Sequence, residues 1–508
     1  MLTNAAIHPL LGEGHTLLTP DALDFLRAEW APLFLQEGII EASAGRATLD
    51  RWTALAFRIV TALSDHPFET QAAISRDLAL DRDVLVRLNR VLRRSDLAQD
   101  LIVERGQGAK YWQNTIAPMA RSGAVRAALR GESRHPCRVG VYVGVSCMFS
   151  CSFCGRHREA RYSPQDVPTG NALFDQMVHA APDGDPYTFY ISGGLEPLTN
   201  PGLGDLVRAG AARGFKLSLY TNGFMLTPHL LQKQPGLWDL DTLRISLYGA
   251  NAAEATRVTQ HDKAYDQVRR NAAQYLRLRN ERRAATRFGF NFVLLHDHAD
   301  QVLDIVEMIA EINREAQDAG GTRRQVDFLT LREDYSVPPD RGLSDDERAR
   351  LVAMFAELKD RRRREDLIDL HVDFGYALYP ESQGVVGQPL EMVNYADMRP
   401  VGYPQVSVAV DLLGDVYLYR EAAFLERPGA RRYVIGRLSP ARSLEDVVGE
   451  FLASGQTIEP RPGETAYFDI FDHVITKLLN QADEDARFGV PFEQGPVRDR
   501  LPHGADLR

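Results

Sequence analysis

Over residues 1 to about 130, apolar side chains recur every three or four positions, the period of a helix that buries one face. The spacing predicts helices over 20–36, 50–64 and 81–94, with Thr19 and Asp81 placed to cap two of them. No strand-like alternation interrupts this stretch, so 1–130 is expected to form an N-terminal helical domain. From Arg138 the period changes. Short runs at 139–145, 187–192, 216–221, 242–248, 287–295 and 325–332 have the character of strands. Helical patterns such as 264–279 and 299–317 lie between them, which predicts parallel strands joined by crossover helices. Six such units suit an α/β fold with a partial (β/α)6 TIM-like barrel over 131–335; a complete eightfold barrel needs two more units and roughly 250 residues.

Beyond the Pro-rich stretch 336–344 the pattern predicts a helix over 345–364 and a strand-like run over 371–378. A hairpin follows, 405–410 with 415–420, with Leu412-Leu413-Gly414 at its turn. A loop near 460–464, a helix over 465–482 and a polar, frayed tail complete a C-terminal α+β extension, 336–508.

Composition narrows the class. The chain has 508 residues, 44% of them hydrophobic, enough for a large core with one or two smaller domains. Its net charge is -10, so no basic stripe marks a nucleic-acid partner. The run Arg361-Arg362-Arg363-Arg364 is flanked by Asp360, Glu365 and Asp366 and reads as a solvated helix face. No stretch approaches 18 apolar residues, and the first residues lack the basic start and apolar core of a signal peptide. Four cysteines, three of them on one loop, cannot form a disulfide framework, and a cytoplasmic location is expected.

That loop is the centre of the chemistry. Cys147, Cys151 and Cys154 stand in a C-x3-C-x2-C spacing directly after the first strand of the barrel, where such a fold places its reactive groups. Three thiolates on one short loop can hold three corners of a 4Fe-4S cube and leave the fourth iron open to a ligand. The same thiols could bind zinc, with Cys137, His135 or His157 as fourth ligand. Cys137 also reads as a small core residue.

The spacing, with Phe153 before the last cysteine, resembles the radical S-adenosylmethionine (radical SAM) superfamily. The resemblance implies a 4Fe-4S cluster whose open iron is chelated by S-adenosylmethionine, and a 5'-deoxyadenosyl radical formed by one-electron cleavage of the sulfonium. It also implies an electron donor such as flavodoxin or ferredoxin. Further along, Ser192-Gly193-Gly194-Leu195-Glu196-Pro197 is similar to the Gly-Gly-Glu turn that holds the SAM amino group, with Leu195 inserted. By the same resemblance Asn222 of Tyr220-Thr221-Asn222-Gly223, Ser246 at the end of the fourth strand, and Asn291 on the fifth are expected to contact SAM.

A narrower likeness comes from CMFSCSFC, SGGLEPLTNPGLG, SLYG, REDY (332–335), DFGYAL (373–378), MRP (398–400) and VDLLGDVYLYREA (410–422). These resemble the radical SAM ammonia-lyases that deaminate TDP-4-amino-4,6-dideoxy-D-glucose in deoxysugar and antibiotic biosynthesis. Hydrogen abstraction at sugar C3, loss of the C3 hydroxyl proton and expulsion of the C4 amine as ammonia are implied, leaving a 3-keto-4,6-dideoxy sugar nucleotide. Glu333, Asp334, Tyr335 and Glu421 are candidates for the base or hydrogen-bond acceptor. Arg332 is a candidate for bidentate binding of pyrophosphate, and Tyr419 and Arg420 are candidates to close over the substrate. The alternatives are a radical SAM dehydrogenase or epimerase of a related nucleotide sugar. A peptide-modifying enzyme with extra clusters has no support, because residues 155–508 contain no cysteine.

Overall fold

The computed structural model describes residues 18–104, 119, 122–156, 159–296, 299–317, 324–334, 342–386, 403–458, 461 and 464–497. The chain divides into two compact units, Met1–Glu132 with His473–Arg508, and Ser133–Asp472.

The first unit is helical in its described residues. Pro20–Gln36, Arg46–Asp65 and Arg82–Arg94 are its longer helices, close to the predicted spans. Thr19 caps the first, its hydroxyl accepting from the Ala22 N–H at 3.2 Å. Asp81 occupies the capping position of the third but makes no side-chain cap bond. Ala22, Leu26, Trp30 and Phe34 form the buried face of Pro20–Gln36, and the Trp30 indole N–H donates to Ser95 Oγ at 2.9 Å, satisfying the polar tip of a buried ring. The predicted helix 465–482 begins later and runs longer, as Ile470–Phe488, after a short 3-10 turn at Glu464–Tyr467.

The second unit is built on one ten-stranded sheet. Its strands are β1 (Arg138–Tyr142), β2 (Phe189–Ile191), β3 (Ser218–Thr221), β4 (Thr242–Leu247), β5 (Arg287–Leu294), β6 (Phe328–Glu333), β7 (His371–Phe374), β8 (Ser407–Asp411), β9 (Asp415–Tyr417) and β10 (Val434–Arg437). Their order is β10-β9-β8-β1-β2-β3-β4-β5-β6-β7. From β8 through β1 to β7 every pairing is parallel, while β9 and β10 are antiparallel. The sheet is not closed: among the described residues no pairing joins β7 to β8.

The parallel array thus extends beyond the six predicted strands. β7 arises from the first residues of the predicted run 371–378. β8, the first arm of the predicted hairpin, pairs with β1 (Val139 opposite Val408) and is buried along its whole length. Gly414 turns the hairpin at φ +78, a conformation that suits glycine. Crossover helices cover the sheet, including Asp166–Ala180, Leu203–Ala212, Ala264–Arg282, Val302–Gln317 and Asp345–Arg361. Beyond the last of these, Arg364 pairs with Glu307 at 2.7 Å and Asp366 at 2.8 Å, so this member of the arginine run sits in a surface ion-pair network. Among the described residues no helix is long and apolar enough to cross a membrane.

Candidate functional site

A cavity of about 750 Å³ opens at the C-terminal ends of β1 to β6, a volume within the roughly 300–1,000 Å³ of small-molecule sites. Parallel α/β sheets carry their chemistry at that edge because each strand end delivers a loop there.

The β1 loop brings Cys147, Cys151, Phe153 and Cys154 to the cavity wall. It is held from behind. Ser150 N–H donates to Thr259 O at 2.9 Å and Ser152 N–H to Val258 O at 3.0 Å, tying the loop to the end of helix Ala252–Thr259. Phe149, almost fully buried, wedges edge-on against Phe224 and Tyr248 at 5.6 and 6.0 Å. Phe153 lies 5.8 Å from Tyr248. The three thiols are half-buried, and burial is the main force raising each above the ordinary cysteine range. A metal centre bound there would supply the positive charge needed to draw those protons off.

Single-ion zinc suits the loop less well. Cys137 is buried with Sγ directed to Val406 O at 3.1 Å, and the His135 ring nitrogen Nδ1 lies 3.0 Å from Pro136 O. Neither lines the cavity, and His157 lies outside the described residues. Among the described residues no three His, Cys, Asp or Glu side chains converge to hold one ion.

The turn after β2 is the second wall. Gly193 and Gly194 have φ of +68 and +63. A Cβ at Gly193 would stand 2.3 Å from the Tyr142 ring, so the backbone lies flat against that ring only as glycine. Glu196 is buried and three donors take up its carboxylate. Thr221 Oγ1 at 2.5 Å and Leu198 N–H at 3.1 Å reach Oε1, and Asn222 N–H at 2.8 Å reaches Oε2. Burial still holds its carboxyl above the usual range, against those three bonds. Glu196 therefore braces the β2 turn to the β3 turn while it lines the cavity, and the inserted Leu195 is buried with its backbone against Gly144.

The β3 to β5 ends follow. Asn222 Nδ2 lies 3.1 Å from Met148 Sδ, its Oδ1 accepts from Phe224 N–H, and it faces the cavity. Ser246 and Asn291 are register partners on β4 and β5, and both line the cavity. Asn291 is buried and its Oδ1 has no protein partner, an orphaned acceptor in a ligand-sized space. This acceptor, the flat Gly193–Gly194 turn and the three thiols fit an adenosyl ligand bound beside a cysteine-held cluster.

On β6, Arg332, Glu333 and Asp334 line the same cavity. Glu333 is buried and pairs with Arg348 at 2.6 Å; Arg348 also meets Glu381 at 2.9 Å. Burial raises the Glu333 carboxyl, and Arg348 opposes that. Tyr335 lies outside the described residues, as does 398–400. Glu421 lines the cavity, 3.6 Å from Arg427; burial and Asp469 push its carboxyl up to about 7.

Two predicted residues stand elsewhere. Tyr419 is buried in an aromatic cluster with Phe468 at 4.3 Å and Tyr433 at 5.3 Å, off the cavity wall. Arg420 also stands back from the cavity, paired with Asp469 at 2.5 Å and donating to Tyr190 OH at 3.2 Å.

The sequence reading missed Tyr220, Arg156, Arg427 and Asp469, all of which line the cavity. Strand alternation signals the first, since Tyr220 is two positions before Asn222. Arg427 and Asp469 come from irregular segments with no spacing to betray them. Arg427 packs so closely on Gly155 that a Cβ there would lie 2.8 Å from its guanidinium.

Residues 141–316 match the Radical SAM superfamily profile. The chain is 40% identical over 441 residues to the dTDP-4-amino-4,6-dideoxy-D-glucose ammonia-lyase of Streptomyces venezuelae, covering 87% of this chain and 89% of that protein. A shorter stretch of 110 residues is 36% identical to the AdoMet-dependent heme synthase of Methanosarcina barkeri, 21% of this chain and 29% of that one. The crystal structure of Streptococcus suis SuiB bound to S-adenosylmethionine aligns with TM-score 0.40 at 14% identity, over 89% of this chain and 93% of that one.

Proposed function

The chain belongs to the radical SAM superfamily, in one family with the Streptomyces venezuelae ammonia-lyase, and from that premise we propose that it is a nucleotide-sugar ammonia-lyase. The proposed substrate is TDP-4-amino-4,6-dideoxy-D-glucose and the products are ammonia and the 3-keto-4,6-dideoxy sugar nucleotide. One observation carries the reading: three cysteines, a glycine turn and an unpartnered amide oxygen share a cavity with arginines and carboxylates. That set suits a cluster, an adenosyl group and a substrate that is anionic at one end and cationic at the other.

The superfamily uses S-adenosylmethionine and a 4Fe-4S cluster. In this chain Cys147, Cys151 and Cys154 would hold the cluster, and Gly193, Gly194, Asn222, Ser246 and Asn291 would hold the SAM, with Phe153 and Glu196 bracing the loops around it. When bound, the pair supplies a 5'-deoxyadenosyl radical and so removes hydrogen from the sugar. The protein's own contribution is placement, because a radical attacks what lies nearest. Arg332, Arg427 and Arg156 give the cavity the cations a diphosphate needs. Asp334 and Glu421 supply acceptors for the sugar ammonium, and Glu421, pushed up to about 7 by burial, is drawn back to its carboxylate form by that cation. Glu333 is already committed to Arg348 and serves to fix the end of β6.

The test is anaerobic turnover with reconstituted protein, SAM, a flavodoxin-type reductant and the TDP-amino sugar, followed by mass spectrometry. Ammonia, a deaminated keto sugar and 5'-deoxyadenosine are expected. A keto sugar that keeps its nitrogen, or an epimer, would assign a dehydrogenase or epimerase instead.

A further inference from the structure

Several arginines drawn in among the strands and their covering segments are matched by carboxylates. Arg279 meets Asp327, Arg348 meets Glu333 and Glu381, and Arg420 meets Asp469. Arg244, half-buried on β4, forms no ion pair among the described residues. Its guanidinium carbon lies 5.0 Å from the centre of the Tyr220 ring and 4.7 Å from that of Phe328. Nη1 donates to Thr330 Oγ1 at 3.1 Å, and Nε has no partner. The other charged groups acting on it, Arg332 and Arg287, are cations too, so this guanidinium drawn out of water lacks the negative charge that normally accompanies it.

The group best placed to supply that charge is Tyr220. It is the register partner of Arg244 across β3 and β4, and it lines the cavity while Arg244 stands behind it. The charged groups that face Tyr220 are Arg244 from β4, Arg332 from β6, and Arg420 and Asp469 from the C-terminal segment. Arg244, the largest influence, outweighs burial and holds the phenol below the ordinary tyrosine range. The neighbouring Tyr142, Tyr190 and Tyr248 are pushed the other way, by burial.

We propose that Tyr220, set against Arg244, accepts the proton of the sugar hydroxyl at the carbon that has lost its hydrogen atom. This role rests on the ammonia-lyase reading. The phenolate oxygen takes the hydroxyl proton and becomes a phenol, while the O–H bonding pair stays on the sugar oxygen as a ketyl radical anion. As that oxygen forms the carbonyl, the C4–N bond of the bound ammonium breaks. The bonding pair leaves on nitrogen as neutral ammonia, and the unpaired electron moves to C4. The phenolate's negative charge has passed to the sugar and cancelled the ammonium's positive one. The C4 radical then takes one electron from a flavin or iron-sulfur electron carrier and one proton from the Tyr220 phenol, which leaves the tyrosine ionised again.

Two readouts test it. In ultraviolet titration of the protein without cofactors, one tyrosine should ionise below the usual value of about 10. That step should vanish in Tyr220→Phe and move upward in Arg244→Met, while Arg244→Lys, which keeps the cation, moves it less. In turnover, Tyr220→Phe with a full iron complement should still form 5'-deoxyadenosine, but release ammonia about 100-fold or more slowly and lose the acidic limb of the pH profile. Tyr220→Phe with the unmodified ammonia-to-deoxyadenosine ratio and pH profile overturns this role and leaves the lyase reading standing. So does the absence of any tyrosine step that depends on Tyr220. An unmodified enzyme that releases no ammonia overturns the lyase reading and this role with it.

Discussion

Both carboxylate oxygens of Glu196 are engaged by the protein itself, and three donors from two different strand turns converge on them. Replacing it by glutamine puts an amide donor where one of those donors points. Glu196→Gln should lower stability by about 1–3 kcal/mol in chemical denaturation. An unchanged midpoint would remove the bracing role argued for it. The sequence made this residue visible by its place after two glycines, yet its partners on the β3 turn are set by tertiary packing and could not be read there. The reverse holds for Tyr220, whose inward orientation was legible from alternation with Asn222 while its significance needed Arg244 beside it. The cysteines were legible because three ligands lie within eight residues of chain, whereas Arg427 reaches the same wall from far along the sequence.

At the scale of elements, the helices of the first unit and the first six strands of the second followed their periodicity closely, because each buries one face of one period. β8 was legible as a strand of a hairpin but not as the parallel neighbour of β1, since a pairing across more than 260 residues leaves no local trace. Helix Ile470–Phe488 contains a buried titratable group of its own. Asp485 accepts from the Gln71 N–H at 2.7 Å, and burial pushes its carboxyl up from 3.8 to about 7. A carboxyl raised on folding contributes stability that is fully present below the ordinary aspartate range and is lost as pH rises through about 7. The slope at its steepest is about 1.4 kcal/mol per pH unit. Thermal unfolding should therefore show a falling midpoint between acid and neutral pH, and Asp485→Asn, which keeps the acceptor, should flatten it. Parallel pH curves for the two proteins would contradict the assignment.

The second unit is one open sheet whose strand ends place a cysteine loop, a glycine turn and a charged pocket around one cavity. On this account the cluster comes before all chemistry. Cys151→Ala should therefore lose bound iron and all 5'-deoxyadenosine formation while circular dichroism shows the fold retained. Iron content and SAM cleavage equal to those of the unmodified protein would place the cofactor elsewhere. The most direct test of the central claim uses TDP-4-amino-4,6-dideoxy-D-glucose carrying deuterium at C3 and ¹⁵N on the C4 amine. The account predicts deuterium in 5'-deoxyadenosine together with ¹⁵N-labelled ammonia and a nitrogen-free keto sugar. Deuterium transfer with ¹⁵N retained in the product, or labelled ammonia with no deuterium in 5'-deoxyadenosine, would contradict it.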